Sequence, residues 1–266
     1  MIELIPIVII LAFLFETMDS CAGMGFGTGL TPLLLLMGYE PLQVVPILLI
    51  SEAITGFTSS FFHQEFENVK FKIKKPINKE TKVMLNIAII GVIAIIISVF
   101  LTYYAIQLEK NVIKTYVAIL VLAMGLIAAF KLKMKKSASY KPKTLTFFSA
   151  LAGFNKGIGA GGYGPVVMLG QIFSGIYEKT ATAIVSLSEG IVSIAGVSAF
   201  VLIPVFKSQP IGIDFLLLPS VFTGGFIAAL ISPYMVRVFP NKLWKIVIPV
   251  YAISIGIYLI LKLYVL

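Results

Sequence analysis

The chain contains a long internal repeat. Residues 19–54 align with residues 156–191 at a constant offset of 137 positions, without a gap. The register pairs glycines, aromatic residues and Ser-Glu dipeptides: Gly25 with Gly162, Phe26 with Tyr163, Gly27 with Gly164, Gly38 with Gly175, and Ser51-Glu52 with Ser188-Glu189. Duplication in an apolar chain is typical of transporters, in which two related halves meet around a central site. We therefore predict one transmembrane domain over residues 1–266, with a first repeat over 1–136 and a second over 143–266.

The composition is that of a membrane protein. Hydrophobic residues make up 59% of the chain and charged residues 12%, with a mean hydropathy of +1.01, which leaves too little polar surface to cover a water-soluble globule. Six stretches have the roughly 17 to 25 apolar residues that a spanning helix needs: Pro41–Phe62, Val83–Ile106, Val112–Phe130, Ala181–Phe206, Phe215–Val236 and Leu243–Leu266. The predicted fold class is an all-α, polytopic transmembrane helical bundle in the cell membrane.

Shorter apolar stretches flank the two glycine clusters: Leu4–Met18 and Phe26–Met37 around the first, Thr144–Phe154 and Tyr163–Phe173 around the second. Most of them are too short to span a bilayer comfortably, so each half is predicted to begin with a broken, glycine-rich helical hairpin. Irregular backbone at membrane depth must line a cavity or be buried in protein.

Charge placement predicts the orientation. Twelve of the 21 basic residues lie in two loops, Lys70–Lys82 and Lys131–Lys143, and both loops are therefore predicted to be cytoplasmic. If each hairpin dips and returns or crosses twice, the halves are inverted and the basic loop after Val236 is also inside. If each hairpin crosses once, that loop is outside. The positive-inside bias favours inverted repeats.

Several classes of function are disfavoured. The net charge of +9 comes largely from lysines in the loops that adjoin the predicted spans. Membrane lipid is therefore an expected partner, and nucleic acid is not expected as one. The single cysteine, Cys21, rules out an intramolecular disulfide and is predicted to be a buried packing residue. No cofactor is predicted, because residues 157–162 match G-x-G-x-x-G by letters alone, outside a soluble βαβ unit.

Glu52 and Glu189 are predicted at membrane depth, within two of the spans. An ionised carboxylate there is costly unless it is paired, hydrated or protonated, so its default interpretation is functional. The alternative is a neutral glutamic acid that hydrogen-bonds to neighbouring backbone with help from Ser51 or Ser188. Recurrence in both halves favours a role in proton coupling or gating.

Asp19 and Lys156 occupy equivalent positions and carry opposite charges. They are predicted to face each other where the halves meet, either as a structural salt bridge or as parts of a site. In the second case Lys156 and Asn155, with glycine-turn N–H groups and a half-helix N-terminus, hold an anion. Asp19 is then a counter-charge or proton carrier.

Aromatic residues and histidine carry weaker signals. Phe26 and Tyr163 are predicted either to pack or to contact substrate. His63, at the end of a span beside a lysine-rich loop, is predicted to be solvated at the interface, and no metal site is predicted.

Two segments, MDSCAGMGFG at Met18–Gly27 and GAGGYGP at Gly159–Pro165, resemble the paired signatures of the sulfite exporter TauE/SafE family. Leu49–Glu52 and Leu187–Glu189 are similar to it too, and the resemblance covers essentially the whole chain. It implies a secondary carrier, not an enzyme, that moves a small sulfur-containing anion such as sulfite, a sulfonate or thiosulfate together with protons.

The hypothesis that follows has an anion bound between the two glycine turns. The predicted substrate-binding residues are Asn155, Lys156, Gly25, Gly27, Gly159, Gly161, Gly162, Tyr163 and Gly164, and the predicted coupling or gating residues are Glu52, Glu189 and Asp19. Many relatives carry an acidic residue where this chain has Asn155-Lys156, a change that either strengthens anion binding or alters coupling. A passive anion channel and a carrier of a small organic carboxylate are alternatives, and the oligomeric state is not predicted.

Overall fold

A computed structural model describes residues 4–72, 74–131, 140–176, 178–206, 215–238 and 242–265. Within these ranges the chain is helical and contains no strand, which confirms the predicted all-α class. The α-helices are α1 (Pro6–Ala22), α2 (Thr31–Leu36), α3 (Pro41–Glu65), α4 (Lys79–Val99), α5 (Lys110–Lys131), α6 (Pro142–Gly159), α7 (Tyr163–Phe173), α8 (Glu178–Phe206), α9 (Leu218–Val238) and α10 (Lys242–Tyr264). Two π-helical segments, Phe26–Leu30 and Phe100–Ala105, precede α2 and follow α4. Most of the second predicted basic loop, residues 132–139, lies outside the described residues.

Five helical segments in the described part of the chain are long and apolar enough to cross a membrane: Pro41–Glu65, Lys79–Ala105, Lys110–Ile127, Lys179–Leu202 and Leu218–Val238. They coincide with five of the six predicted spans. The sixth coincides with α10, whose described apolar part is Pro249–Tyr264. Large apolar side chains such as Ile89 and Phe147 are exposed on the outer surface, as expected for helices that contact lipid.

The first helix of each hairpin is longer than predicted. Helix α1 continues past Met18 to Ala22, and α6 continues past Phe154 to Gly159. At about 1.5 Å per residue, either helix is roughly as long as the hydrocarbon core is thick. The predicted ends were wrong because the apolar stretch stops at the first polar residues, whereas the helix continues: Asp19 and Lys156 are buried inside the bundle.

Contacts between helix ends show which ends lie together. The ammonium groups of Lys110 and Lys114 lie 3.7 and 3.8 Å from the carboxylate of Glu40, so α3 and α5 begin at the same end, here called the Glu40 end. The ammonium of Lys79 lies 5.6 Å from the centre of the Tyr140 ring. Helices α4 and α6 therefore begin together at the opposite end, here called the basic end.

Each hairpin returns to the end at which it starts. Ser174, after α7, donates to the carbonyl of Lys141 at 3.1 Å, so the second hairpin begins and ends at the basic end. In the first hairpin, Ile5 donates its N–H to Ser220 at the start of α9 at 2.8 Å. The carbonyl of Leu36 accepts from Lys262 near the end of α10 at 3.0 Å. The starts of α1 and α9 and the ends of α2 and α10 lie at the Glu40 end, an arrangement consistent with inverted halves.

The helix packing is reciprocal between the halves. Helix α1 packs along α9 as α6 packs along α4, while α3 crosses α8 and α5 packs on α10. The crossing of α3 and α8 is close because it is made at glycines: a Cβ on Gly56 would stand 2.7 Å from the carbonyl oxygen of Ser186, and one on Gly190 would stand 3.2 Å from the backbone nitrogen of Phe57. Small residues at a crossing let two membrane helices approach closely. This approach brings Glu52 and Glu189 to the centre of the bundle.

Candidate functional site

A buried lysine lies at the centre of the molecule between two glutamates. The Lys156 ammonium is 2.5 Å from Glu52 Oε2 and 2.7 Å from Glu189 Oε1. The three side chains are 0%, 3% and 6% exposed. Charge-assisted bonds of this length, shielded from solvent, are much stronger than surface ion pairs.

Three helices supply these groups, and their geometry explains the convergence. Lys156 lies in the last turn of α6, just before the second glycine turn. Glu52 and Glu189 lie near the middle of α3 and α8, Glu52 about one turn before Gly56 and Glu189 directly before Gly190 at the close contact. The site therefore joins the end of one hairpin to the central crossing.

The two glycine turns contact each other directly. A Cβ on Gly27 would stand 1.9 Å from the carbonyl oxygen of Ala160, and one on Gly164 would stand 2.5 Å from that of Gly23. Gly162 donates its N–H to Thr28 Oγ1 at 3.1 Å. Glycine is required at this contact because any side chain would occupy the space of the opposite backbone.

The aromatic residues of the turns are fully enclosed. Tyr163 is 1% exposed, and its ring centre lies 5.3 Å from the Lys156 ammonium, within the range of a cation–π contact. Phe26, its counterpart in the repeat, is buried as well. Tyr163 thus belongs to the shell around the lysine, whereas Phe26 packs in the core.

Asp19 does not form the salt bridge with Lys156 that was one of its two predicted arrangements. Its carboxyl group accepts the N–H of Phe26 at 3.4 Å and lines a small cavity together with Glu189. Lys156 instead makes its ion pairs with the two glutamates. The salt-bridge alternative was wrong because the repeat fixes equivalent positions in sequence, but the central crossing of α3 and α8 decides which carboxylates reach the lysine.

Asn155 and Lys156 point in different directions. The side-chain oxygen Oδ1 of Asn155 accepts a hydrogen bond from the hydroxyl of Tyr116 on α5. Consecutive residues on a helix are separated by about 100° around its axis, so the two side chains cannot share one face. The structure brings Lys156 to the centre and directs Asn155 to the contact with α5.

The predicted substrate-binding residues of the two glycine turns lie in different surroundings. Gly159 ends α6, where its Cβ would meet Val117 of α5 at 2.5 Å. Tyr163 and Gly164 begin α7, whose first-turn N–H groups have no partner within the helix. Gly27, Gly161 and Gly162 form the contact between the turns. Gly25 lies against α1 instead, where a Cβ would stand 2.8 Å from the carbonyl oxygen of Phe15.

Glu16 is an additional buried carboxylate that sequence reasoning missed. Its oxygens accept from Ser20 at 2.8 Å and from Thr55 at 3.3 Å. It lines a cavity of about 10 Å³, roughly the room that one water molecule needs. The cavity is lined by Glu16, Asp19, Glu52, Thr55, Gly56, Ser186 and Glu189. The spacing of Glu16 and Asp19, three residues apart in a helix, was the signal that could have revealed it.

His63 is buried and is not solvated at an interface as predicted. Its Nε2 lies 3.1 Å from the carbonyl oxygen of Ser20, and its Nδ1 lies 3.1 Å from the amide nitrogen of Asn68. Asn68 also donates to the carbonyl of Pro233 at 2.9 Å. Because the amide nitrogen of Asn68 can only donate, Nδ1 of His63 accepts and Nε2 carries the hydrogen. The prediction failed because the chain folds back after α3 and covers the ring.

Cys21 is buried in the last turn of α1, with its sulfur 3.6 Å from the carbonyl oxygen of Ser232, in agreement with a packing role. Among the described residues, no group of three or more His, Cys, Asp or Glu side chains has the spacing of a metal site.

These features define a class of protein. Apolar helices long enough to span a membrane, two broken hairpins that meet through glycine turns, and charges buried between them form the architecture of a membrane transporter. The chain belongs to the sulfite exporter TauE/SafE family, whose model matches residues 8–259. It is 26% identical over 249 residues to the probable membrane transporter protein YtnM of Bacillus subtilis (strain 168), a match that covers 90% of this chain and 76% of that protein. Family and relative support a multi-pass transport protein rather than an enzyme.

Proposed function

We propose that this protein is a secondary transporter for a small sulfur-containing anion, coupled to protons, with Lys156 as the central anion-binding group. The observation that carries the proposal is the buried Lys156 ammonium held by Glu52 and Glu189 where the two hairpins meet. A buried charge at this depth is expensive to maintain, and such groups mark substrate and ion pathways. The family's description as sulfite exporters supports the substrate class.

Anion binding requires that Lys156 exchange partners. An ammonium group has three donors, and two of them bind glutamate oxygens. A sulfur oxyanion presents several acceptor oxygens and can replace one carboxylate on the lysine. The N–H groups at the start of α7, beside Tyr163 and Gly164, add donors and the positive end of a helix dipole to the same region.

Protonation of a glutamate favours this exchange. When Glu52 or Glu189 takes up a proton, it loses its charge and its attraction for Lys156 weakens. The ammonium then attracts a substrate anion more strongly, so that proton and anion bind cooperatively. By linkage, the bound anion favours proton binding by the same factor.

Alternating access follows from the arrangement of the hairpins. One hairpin enters from the Glu40 end and the other from the basic end, and they meet at Gly27 and Ala160. Rocking of one half against the other would expose Lys156 to each side in turn. We place the basic end in the cytoplasm, because the lysines of Lys70–Lys82 and Lys141, just before α6, lie there.

The test is transport by the purified protein in liposomes loaded with unlabelled anion. Labelled sulfite, thiosulfate, a sulfonate and a short carboxylate are presented outside, and counterflow is measured with and without an imposed pH gradient. Saturable counterflow of a sulfur anion, with accumulation driven by the pH gradient, is expected. Non-saturable flux without accumulation would identify a passive channel, and selective counterflow of the carboxylate would discard the sulfur anion.

A further inference from the structure

A second functional element lies beside the lysine, in the cavity between α1, α3 and α8. Four carboxyl groups surround or border it, on Glu16, Asp19, Glu52 and Glu189, and the one ammonium group near them in the described structure is that of Lys156. All four carboxyl groups are buried. Four ionised carboxylates with one cation would leave a large uncompensated charge away from water, which is prohibitively costly. The cavity must therefore hold additional positive charge, as protons or as a cation.

An unpartnered oxygen points to the ligand of this cavity. Glu52 Oε2 binds Lys156, but Glu52 Oε1, which is buried, accepts no hydrogen bond of normal geometry from the described residues, although it lies beside Gly27. A buried carboxylate oxygen without a donor is costly. A proton on Oε1, or a donor bound in the cavity, removes this cost.

Asp19 and Glu189 line this cavity from two different helices, α1 and α8, and both side chains are buried. Two ionised carboxylates on the wall of so small a cavity repel each other. A proton on either one removes a charge and turns that carboxyl group into a hydrogen-bond donor.

We propose that the cavity is the binding site of the coupling proton, and that Glu16 exchanges this proton with Glu52 and Glu189 across it. The step transfers a proton from one carboxyl oxygen to another carboxylate oxygen, with no change of redox state. The inference rests on the proposed function, because it names the residue through which proton movement is linked to the lysine.

Glu16 is separate from the anion-binding group. Its hydrogen bonds go to Ser20 and Thr55, while Lys156 bonds to the two glutamates. The position equivalent to Glu16 in the second half is Gly153, where even a Cβ would stand 2.5 Å from the carbonyl oxygen of Gly91. The carboxyl group is thus present in one half only, and the other half has no space for it.

Hydroxyl groups provide a path across the cavity. Thr55 donates to Glu16, and Ser186 lines the opposite wall. A hydroxyl can donate and accept at once, as can a single water molecule in a cavity of this size. The titratable and charged groups that face Glu16 across the cavity are Asp19 on α1, Glu52 on α3 and Glu189 on α8, and Lys156 on α6 binds the last two. Cys21 lies on α1, five residues after Glu16.

A proton fits this cavity better than a metal cation does. In the described residues, the acidic side chains do not have the spacing of a metal-binding group. A sodium ion needs several oxygens at once around itself, whereas a proton needs only one or two. The oxygens of Glu16 bind the hydroxyls of Ser20 and Thr55, and Glu52 and Glu189 bind Lys156, rather than converging on one centre.

The experiment compares anion counterflow with proton-driven accumulation in the variant Glu16→Gln. Purified wild-type and variant proteins in liposomes are assayed for counterflow of labelled sulfite and for accumulation driven by a pH gradient, with proton entry followed by a trapped dye. The variant should retain counterflow, while proton-driven accumulation and sulfite-dependent proton entry fall by roughly 5- to 150-fold, the usual range of one coupling free energy. Glu16→Asp should restore part of the coupling, and Glu65→Gln, an exposed glutamate on α3, should behave like wild type.

Several results would overturn the proposal. Equal loss of counterflow and of driven transport would make Glu16 structural, and unchanged coupling would remove it from the proton path. Accumulation driven by a sodium gradient instead of a pH gradient would give the cavity a different ion. Absence of sulfur-anion counterflow in the wild type would reject the proposed function itself. If Glu16→Gln does not fold, Thr55→Val removes only the neighbouring hydroxyl and should slow proton-driven accumulation with counterflow retained, whereas equal rates in both assays would contradict the path.

Discussion

The Glu52 carboxylate lies 2.5 Å from the Lys156 ammonium although the two residues belong to different halves of the chain. The pair therefore links the first repeat to the second at the depth of the membrane. Removing only one partner is costly, because the other charge then stays buried and unpaired. Replacing both partners together costs much less.

Removal of the lysine should affect both stability and anion binding. Lys156→Met is expected to lower the free energy of unfolding by about 3 to 5 kcal/mol, because two carboxylates lose their common partner. Adding Glu52→Gln and Glu189→Gln should recover part of this loss. Thermal unfolding measures the loss of stability, and the rise in melting temperature on adding sulfite measures anion binding. Lys143→Ala, an exposed lysine on the same helix, is the control, and full sulfite affinity in Lys156→Met would reduce the lysine to a structural role.

The pH dependence of anion binding should disappear when both glutamates are neutral. In the wild type, sulfite affinity is expected to rise as pH falls, since a proton on Glu52 or Glu189 releases Lys156. Glu52→Gln with Glu189→Gln mimics the protonated form, so its affinity should be high and nearly independent of pH. Titration calorimetry at acid and neutral pH checks this, with Glu65→Gln as the control. A pH profile unchanged from wild type would rule out coupling through these groups.

The contact between the glycine turns should not tolerate a side chain. Gly27→Ala places a methyl group against the carbonyl oxygen of Ala160, where a Cβ would stand 1.9 Å away. One of the two backbones must move, at a cost of at least about 1 to 3 kcal/mol. Gly161→Ala has 3.2 Å to the nearest carbonyl oxygen and should be milder. The apparent melting temperatures of the two variants test this order, and the reverse order would contradict the close approach.

His63 is expected to stabilise the fold without taking part in transport. His63→Leu leaves the carbonyl of Ser20 without its donor and removes the acceptor of Asn68. A buried polar group without a partner costs about 1 to 3 kcal/mol, so the melting temperature should fall. The sulfite affinity of the folded variant should equal that of wild type. A selective loss of affinity, with stability intact, would assign the histidine to the site instead.

The orientation can be read from chemical labelling. In a background with Cys21→Ala, Lys74→Cys lies at the basic end and Lys110→Cys at the Glu40 end, and both positions are exposed. A membrane-impermeant maleimide added to intact cells should label Lys110→Cys, while Lys74→Cys reacts only after the membrane is opened. Labelling of the two positions from the same side would contradict the helix-end contacts, and the reverse pattern would place the basic end outside.

Much of the fold is local and could be read from the chain. Hydropathy over roughly 20 residues predicts a span because every apolar side chain favours lipid independently of its neighbours. The glycine runs predict the breaks between α1 and α2 and between α6 and α7. The internal repeat indicated that these breaks are equivalent. The position of Glu52 and Glu189 within two predicted spans indicated that these glutamates are candidate functional residues.

The partners of the buried charges were decided only by the tertiary structure. Lys156 binds Glu52 and Glu189 rather than Asp19, Asn155 turns to Tyr116, and His63 is enclosed. These outcomes depend on the rotation of each helix about its axis and on the angle and depth at which two helices cross. Both are set by contacts between residues far apart in the chain, such as Gly56 against Ser186. The sequence by itself determined a duplicated membrane bundle with charges at its centre, and packing decided which of those charges meet.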